Sequence, residues 1–286
     1  SPTILRQFFR YGFPLVGTYL GDFLLAQSDR YMLAFFIGST AVGVYSAAYQ
    51  LTNAVLSDVF LILSMAVHPF IVVAFERGKM QDVNRLMHTV ASAYILLALP
   101  LVCGLAFLAG PLVQALFGEA FYEGAQFVPW VAIGIFFLGV TKHYINWIFQ
   151  LIERTSWVLY IFVVSAALNV LLNFLLIPRI GALAAAYSTM ISYAFALGAS
   201  VIVARRAMKV RWAWRATARA LVSCGAMLVS LVVLPEWPAN IFGVLLRIGL
   251  GATVYLLSLA VLREPLLFQV TECIIRSVRK RRYREP

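Results

Sequence analysis

The chain of 286 residues is 62% hydrophobic and only 12% charged, with a mean hydropathy of +0.88 and a net charge of +11. A soluble domain carries about 25% charged residues, so composition argues against a soluble enzyme or nucleic-acid-binding module. Apolar runs of about 18 residues or more recur along the whole length, which predicts an all-α polytopic transmembrane bundle, and the alternating pattern of a transmembrane barrel is missing.

In chain order the predicted spans are Tyr11–Ile37, Val44–Phe75, Leu86–Ala109, Phe127–Ile152, Trp157–Ile177, Ala182–Ala204, Ala220–Leu234 and Ile241–Leu262. Gly and Pro punctuate their ends in "IGSTAVG", "AGPLVQALFG", "IPRIG" and "LPEWPAN". The first span is too long for a signal-peptide core and lacks a small-residue cleavage site. It carries Asp22, Asp29 and Arg30. Charges at membrane depth face a partner, a cavity or the interface. Asp22 and Asp29 are seven apart and share a helical face, whereas Arg30 lies about 80° beyond Asp22, so an Asp29–Arg30 ion pair is not expected. Gly17 and Gly21 form a GxxxG, a mark of close helix packing.

The second span sets Ser46, Gln50, Asn53, Ser57, Ser64 and His68 within about 60°, with Asp58 at the stripe's edge. The fourth gathers Lys142, His143, Asn146, Gln150 and Glu153 within about 100°. The fifth adds Ser165, Asn169 and Asn173. Such stripes serve either as interhelical hydrogen-bonding groups or as the lining of a water-filled cavity. Lys142 lies too deep for easy snorkelling, which favours a cavity lined by spans one, two, four and five.

Nineteen of the 23 Lys and Arg fall in one set of alternating segments: Arg6 and Arg10, Arg77 to Arg85, Arg154, Arg205 to Arg219, and Arg263 with the tail. The opposite loops hold essentially Arg179. The positive-inside rule therefore places both termini in the cytoplasm, and the basic charge reports topology rather than nucleic acid. Residues 264–286 read as a basic amphipathic tail, with Leu266, Val270, Cys273, Ile274 and Ser277 on one side. The three cysteines and three histidines have no metal-ligand spacing, and no phosphate-cradling glycine loop or nucleophile elbow is present, so neither metal nor cofactor is expected.

Three stretches carry a resemblance. "FRYGFPLVGTYLGDFLLAQSDRYMLAFFIGSTAVGVYSAAYQL" (Phe9 to Leu51) resembles the opening of the second half of bacterial polysaccharide flippases of the O-antigen type. These belong to the multidrug/oligosaccharidyl-lipid/polysaccharide exporter superfamily. "GPLVQALFGEAFYEGAQFVPWVAIG" (Gly110 to Gly134) is similar to the family's outward loop and next helix. "LNVLLNFLLIPRIGALAAAYSTMISY" (Leu168 to Tyr193) is similar to its Asn-rich helix, Ile-Pro turn and small-residue helix, with Ala184 where members often have Gly.

The resemblance implies two six-helix lobes facing a central cavity. Residues 1–206 would form the C-terminal lobe, 207–263 two additional helices, and the N-terminal half would be a partner. It implies a bacterial inner-membrane transporter, not an enzyme, for an undecaprenyl-pyrophosphate-linked oligosaccharide. A drug/ion antiporter or a peptidoglycan-precursor flippase of the same superfamily is the alternative. Arg30 and Lys142, with Asn53, His143, Asn146 and Gln150, are the expected substrate contacts. Asp22 and Asp58, both near mid-membrane, are the expected ion-coupling residues; desolvation there suits a carboxyl that loads and unloads a proton, and a sodium site is the other form.

The topology is directly testable. In a cysteine-free background, a single cysteine at Glu119 should react with an impermeant thiol reagent from outside, and one at Arg206 should not. Outside labelling at position 206 overturns the orientation.

Overall fold

The computed structural model describes residues 17, 21, 23–208, 212–233 and 240–269. Asp22 and the tail face beyond Leu266 lie outside the described residues. Helix α1 covers residues 23–36. It is followed by α2 (Ser39–Glu76), α3 (Met80–Phe107), α4 (Ala109–Leu116), a 3-10 helix (Glu119–Gln126) and α5 (Val128–Val140). A π-helical turn (Thr141–Ile145) leads to α6 (Asn146–Leu151), and then come α7 (Ser156–Ile180), α8 (Leu183–Ala207), α9 (Trp214–Val233) and α10 (Ile241–Val261). No strand occurs among the described residues. Seven segments of this set are long and apolar enough to span a membrane, taking Val128–Leu151 as one. Each expected span from the second onward has its helix, and α1 supplies part of the first.

Helix α5 is the centre of the lobe, packed against α2, α3 and α8, while α7 pairs with α8. In lipid, helices associate through close packing of small residues rather than through water exclusion. Helix α8 shows this. Its buried face is Ala184, Ala185, Ala186, Ser188, Thr189, Ser192, Ala196, Ser200 and Ala204. Gly134 of α5 meets it so closely that an added Cβ would lie 3.3 Å from the Met190 backbone. The GxxxG of the first span is used in the expected way: an added Cβ at Gly17 would meet Leu159 at 2.8 Å, and one at Gly21 would meet Phe162 at 3.5 Å, both on α7.

The two additional helices stand at the α3 edge. Helix α9 packs on α3, and α10 packs on α9. Tyr255 of α10 donates to the Leu96 carbonyl of α3 at 2.8 Å. Asn240 caps α10 by accepting from the Gly243 amide at 2.8 Å. Helix α9 begins at Trp214, ahead of the expected Ala220. Arg215 and Arg219 lower the hydropathy of that first stretch, yet arginines at a helix end snorkel to the interface without ending the helix.

Two other expectations change. The Gly110–Gln126 loop is itself helical, formed by α4 and the 3-10 segment. It lies on α2, with Gly124 so near that an added Cβ would be 3.2 Å from the Val44 carbonyl oxygen. The fourth span is not one continuous α-helix, because the π turn interrupts it. Glu153, expected on its polar stripe, sits past α6 in a left-handed turn at φ 56°.

By connectivity, Arg77, Arg85, Arg154, Arg205, Arg215 and Arg263 collect at one end of the bundle, the basic end. Arg179, Glu119 and Glu123 lie at the opposite end.

Gly139 gives a packing test. A Cβ there would sit 2.5 Å from the Phe60 ring, and Phe60 is fully buried. Gly139→Ala should destabilise the folded protein by about 1–3 kcal/mol, the range for overpacking, read as a lower melting temperature in detergent. Gly198→Ala, where nothing lies within 4 Å, should not lower it. Equal melting temperatures for both variants would refute the contact.

Candidate substrate and ion sites

Asp29 is fully buried where α1, α2, α7 and α8 converge. The Tyr45 hydroxyl of α2 donates to its Oδ2 at 2.9 Å. Asn173 Nδ2 of α7 donates to Oδ1 at 2.7 Å. The Thr189 hydroxyl of α8 also donates to Oδ2. A second layer backs these contacts: Asn169 Oδ1 accepts from Asn173 Nδ2 at 3.0 Å and from the Ser28 hydroxyl at 2.6 Å. The Asn stripe of the fifth predicted span thus faces Asp29 and serves as interhelical hydrogen bonding rather than as an open cavity wall.

The position follows from helix geometry. Tyr45 is six residues from the start of α2, Thr189 six from the start of α8, and Asn173 seven from the end of α7. All three therefore stand about 9–10 Å from the end opposite the basic one. Asp29, seven residues before the end of α1, is at the same depth.

Arg30 points elsewhere, as expected for a helical neighbour. Its Nε donates to Ser46 Oγ at 3.0 Å. Its Nη1 donates to the Ala26 carbonyl at 2.8 Å and to Gln27 Oε1 at 2.9 Å. The guanidinium lies 4.8 Å from the Tyr49 ring centroid, a cation–π distance. Tyr49 continues the polar contact to Tyr193 on α8, with the hydroxyls 3.2 Å apart. Arg30 is thereby tied to the α2 stripe, of which Gln50 and Asn53 are exposed. Asn53 Oδ1 accepts from the Ser57 hydroxyl at 2.7 Å, and Asp58 beyond it is exposed. Asp58 is nineteen residues into α2, about 18 Å below the Asp29 level, so the structure does not bring these two acids together.

Lys142 and His143 occupy the π turn. Such turns widen a helix by about one residue, release backbone groups and often mark functional sites. Here the His143 carbonyl accepts from the Tyr94 hydroxyl of α3 at 3.1 Å, and the same hydroxyl is 3.3 Å from the Phe60 carbonyl. The His143 ring stacks on Phe60, with centroids 6.2 Å apart. Lys142 and His143 are half-buried. The extra residue of the turn rotates the side chains of α6 relative to those of α5. Asn146 is buried, with its Oδ1 lacking a hydrogen-bond partner, and Gln150 is half-buried. Lys142 is fourteen residues into α5 and its continuation, and Asn53 fourteen into α2, so both lie at about 21 Å from the same end. Lys142 and Arg30 are accordingly about two helical turns apart in depth.

The chemistry available at Asp29 is narrow. All three groups on the carboxylate donate, and its partners are hydroxyl and amide groups rather than a cationic side chain. A buried charge of this kind needs compensation, which a proton or a hard cation supplies. The oxygens of Asp29, Thr189 and Asn169 suit a hard cation. Asn173 Oδ1, buried without a partner, would join them if its amide were turned over. Among the described residues no group of three His, Cys, Asp or Glu could hold a metal by itself. Glu119 and Glu123 sit in a 3-10 helix, where residues four apart are about 120° apart and do not converge.

Sequence reasoning missed Asp29 as the buried acid. Its signals were present: an Asp in an apolar run, and two asparagines four apart on a later span.

Residues 1–126 match a family described as "Polysaccharide biosynthesis protein". The chain is 26% identical over 247 residues to a protein named "Probable flippase AglR" from Haloferax volcanii, covering 81% of this chain and 50% of that protein. It is 25% identical over 193 residues to an uncharacterized membrane protein, MJ1068, of Methanocaldococcus jannaschii, covering 68% of this chain and 38% of that protein. The chain thus spans half or less of the length of these curated relatives. Among solved structures it resembles the "Lipid II flippase MurJ, inward closed conformation", with a TM-score of 0.72 at 15% identity, covering 93% of this chain and 55% of that one. The fold is that of a single lobe of a two-lobe, MurJ-like architecture. The chain is a polytopic membrane protein with a MurJ-like fold, and over part of its length it is similar to a polysaccharide-biosynthesis family and to a probable flippase.

Proposed function

We propose that this chain is one lobe of a transporter, not an enzyme, that flips an undecaprenyl-pyrophosphate-linked oligosaccharide across the bacterial inner membrane for O-antigen, capsule or exopolysaccharide synthesis. Both termini would lie in the cytoplasm. The observation that supports it most is the separation of two polar systems in a MurJ-like lobe. One is a closed carboxyl site at Asp29. The other is a set of cationic and amide groups, Arg30, Asn53, Lys142, His143, Asn146 and Gln150, along α2 and the π turn. Anionic pyrophosphate and sugar acids call for cations in a low-dielectric cavity. Two stations at different depths suit a substrate that travels along the membrane normal.

On this reading a third acid joins the two expected for ion coupling. Asp29, with Asn169, Asn173 and Thr189, is now the stronger candidate for proton or sodium coupling. Asp22 and Asp58 remain secondary candidates. The cavity needs a second wall, because alternating access rocks one repeat against another; residues 1–206 would be one such repeat, with 207–263 accessory. The match of residues 1–126 to a polysaccharide-biosynthesis family favours the glycan substrate, and the fold likeness favours a peptidoglycan-precursor flippase as the second reading.

The test is made in the two-lobe transporter at matched abundance. Removing one charged contact from a desolvated site costs about 2–5 kcal/mol, so Lys142→Ala should nearly abolish surface glycan while Lys142→Arg keeps part of it. Asp29→Asn should weaken ion-driven transport and leave substrate binding largely intact. Wild-type glycan with Lys142→Ala removes that residue from the substrate path. Rescue of a peptidoglycan-precursor defect but not a glycan-export defect would select the second reading. The lobe by itself should flip nothing and recover when the other lobe is co-expressed.

A further inference from the structure

The basic end of the bundle holds a cavity of about 460 Å³, set between the start of α3, the start of α9 and the turn after α10. None of the proposed substrate or ion residues lines it. Arg215 and Arg219 of α9, His88 of α3, Trp212, Trp214 and Glu264 supply its functional groups. Glu264 is only 3% exposed, and its Oε2 lies 2.8 Å from Arg219 Nη1. This pair fixes one guanidinium at the wall. A guanidinium has five N–H donors, so Arg219 keeps capacity for a second acceptor. Arg215 is exposed and adds a second cation. Two arginines against one carboxylate leave the pocket positive.

Two features set the kind of anion. First, the pocket is interfacial. Trp214 is 71% exposed beside Arg215, and Trp212 is half-buried, with its Nε1 donating to Thr217 Oγ1 at 3.1 Å. Tryptophan and arginine side by side at the end of a span mark headgroup level. Second, the helical face that carries Arg215 continues into the membrane as Ala218, Val222, Gly225 and Val229, all exposed. From Ala218 to Val229 this strip is about 16 Å long, the depth of one leaflet of hydrocarbon. A charged mouth above an apolar strip matches a molecule with an anionic head and an acyl tail.

We propose that this pocket is a binding site for an anionic glycerophospholipid of the membrane itself. The phosphate would sit on Arg215 and Arg219, the tryptophans would flank the glycerol level, and one acyl chain would lie along α9. The site would join α9 and α10 to α3, which is where the two additional helices meet the lobe. The inference is independent of what the transporter carries.

The experiment uses the purified transporter, delipidated in detergent and titrated separately with dioleoyl phosphatidylglycerol, dioleoyl phosphatidylcholine and glycerol phosphate, with binding read by native mass spectrometry and melting temperature. Phosphatidylglycerol should bind in preference to phosphatidylcholine and raise the melting temperature. Arg215→Gln should weaken phosphatidylglycerol binding roughly fivefold, the effect of one basic residue near anionic lipid, and leave phosphatidylcholine unaffected. Because Arg219→Gln strands a buried acid, the second variant is Arg219→Gln with Glu264→Gln, which should weaken phosphatidylglycerol similarly. Equal binding of the two lipids overturns the proposal. So does unchanged phosphatidylglycerol preference in both variants. Glycerol phosphate competing as well as the lipid would make the pocket a soluble-phosphate site and also overturn it.

Discussion

A carboxyl group without access to solvent must take its hydrogen bonds from the fold, and Asp29 takes them from three other helices. Each bond to a charged partner is worth about 1.5–3 kcal/mol, and in a bilayer no water is at hand to replace one. The consequence is geometric. Tyr45, Asn173 and Thr189 must stand at one depth, which fixes the relative heights of α2, α7 and α8. Helix α1 must approach α7 closely, which Gly17 and Gly21 permit. Packing between apolar helices is tolerant of sliding; a buried polar cluster is not.

The π turn is a second constraint of the same type. A π turn disturbs the backbone ladder inside the lobe, and within it the Tyr94 hydroxyl donates to the His143 carbonyl. Phe60 then fills the space beside the turn, stacked on His143 and pressed on Gly139. The widened turn, the glycine, the tyrosine and the phenylalanine form one unit. It holds Lys142 half-buried at mid-span, where a straight helix would put the side chains after it on a different face.

The spans from the second onward and their alternation were legible in the sequence because each rests on a sum over many residues, whereas the single-lobe architecture was what the resemblance implied. Hydropathy of about 20 positions locates a helix, and the alternation of basic segments matches the gathering of the described basic residues at one end of the bundle. The start of α9 and the break in the fourth span were not legible, because each turns on a few residues. Arg215 and Arg219 hide a helical turn from a hydropathy window. A π turn leaves no periodic mark, since it differs from an α-helix by a single added residue. The acid was harder still. Asp29 and Asp22 share a face on paper, and only the partners on α7 and α8, more than 140 positions away, single out Asp29. The expectation that Asp29 and Arg30 do not pair is matched by their separate partners.

That last separation bears on how a lobe could couple two events. Asp29 and Arg30 are adjacent on α1, yet one is sealed among α2, α7 and α8 while the other reaches Ser46 and Tyr49 on the α2 stripe. A short helix cannot move one of them without the other. On the proposed reading, a proton or cation arriving at Asp29 changes the number of donors that the carboxylate can hold. The α1 contacts to Tyr45, Asn173 and Thr189 are what that change acts on. Any resulting shift or rotation of α1 is delivered to Arg30, and through Tyr49 to Tyr193 on α8. The coupling then needs no long chain of side chains between ion and substrate. It needs only that α1 be stiff over one residue and that its two faces meet different neighbours, and both conditions are met by the hydrogen bonds that hold it.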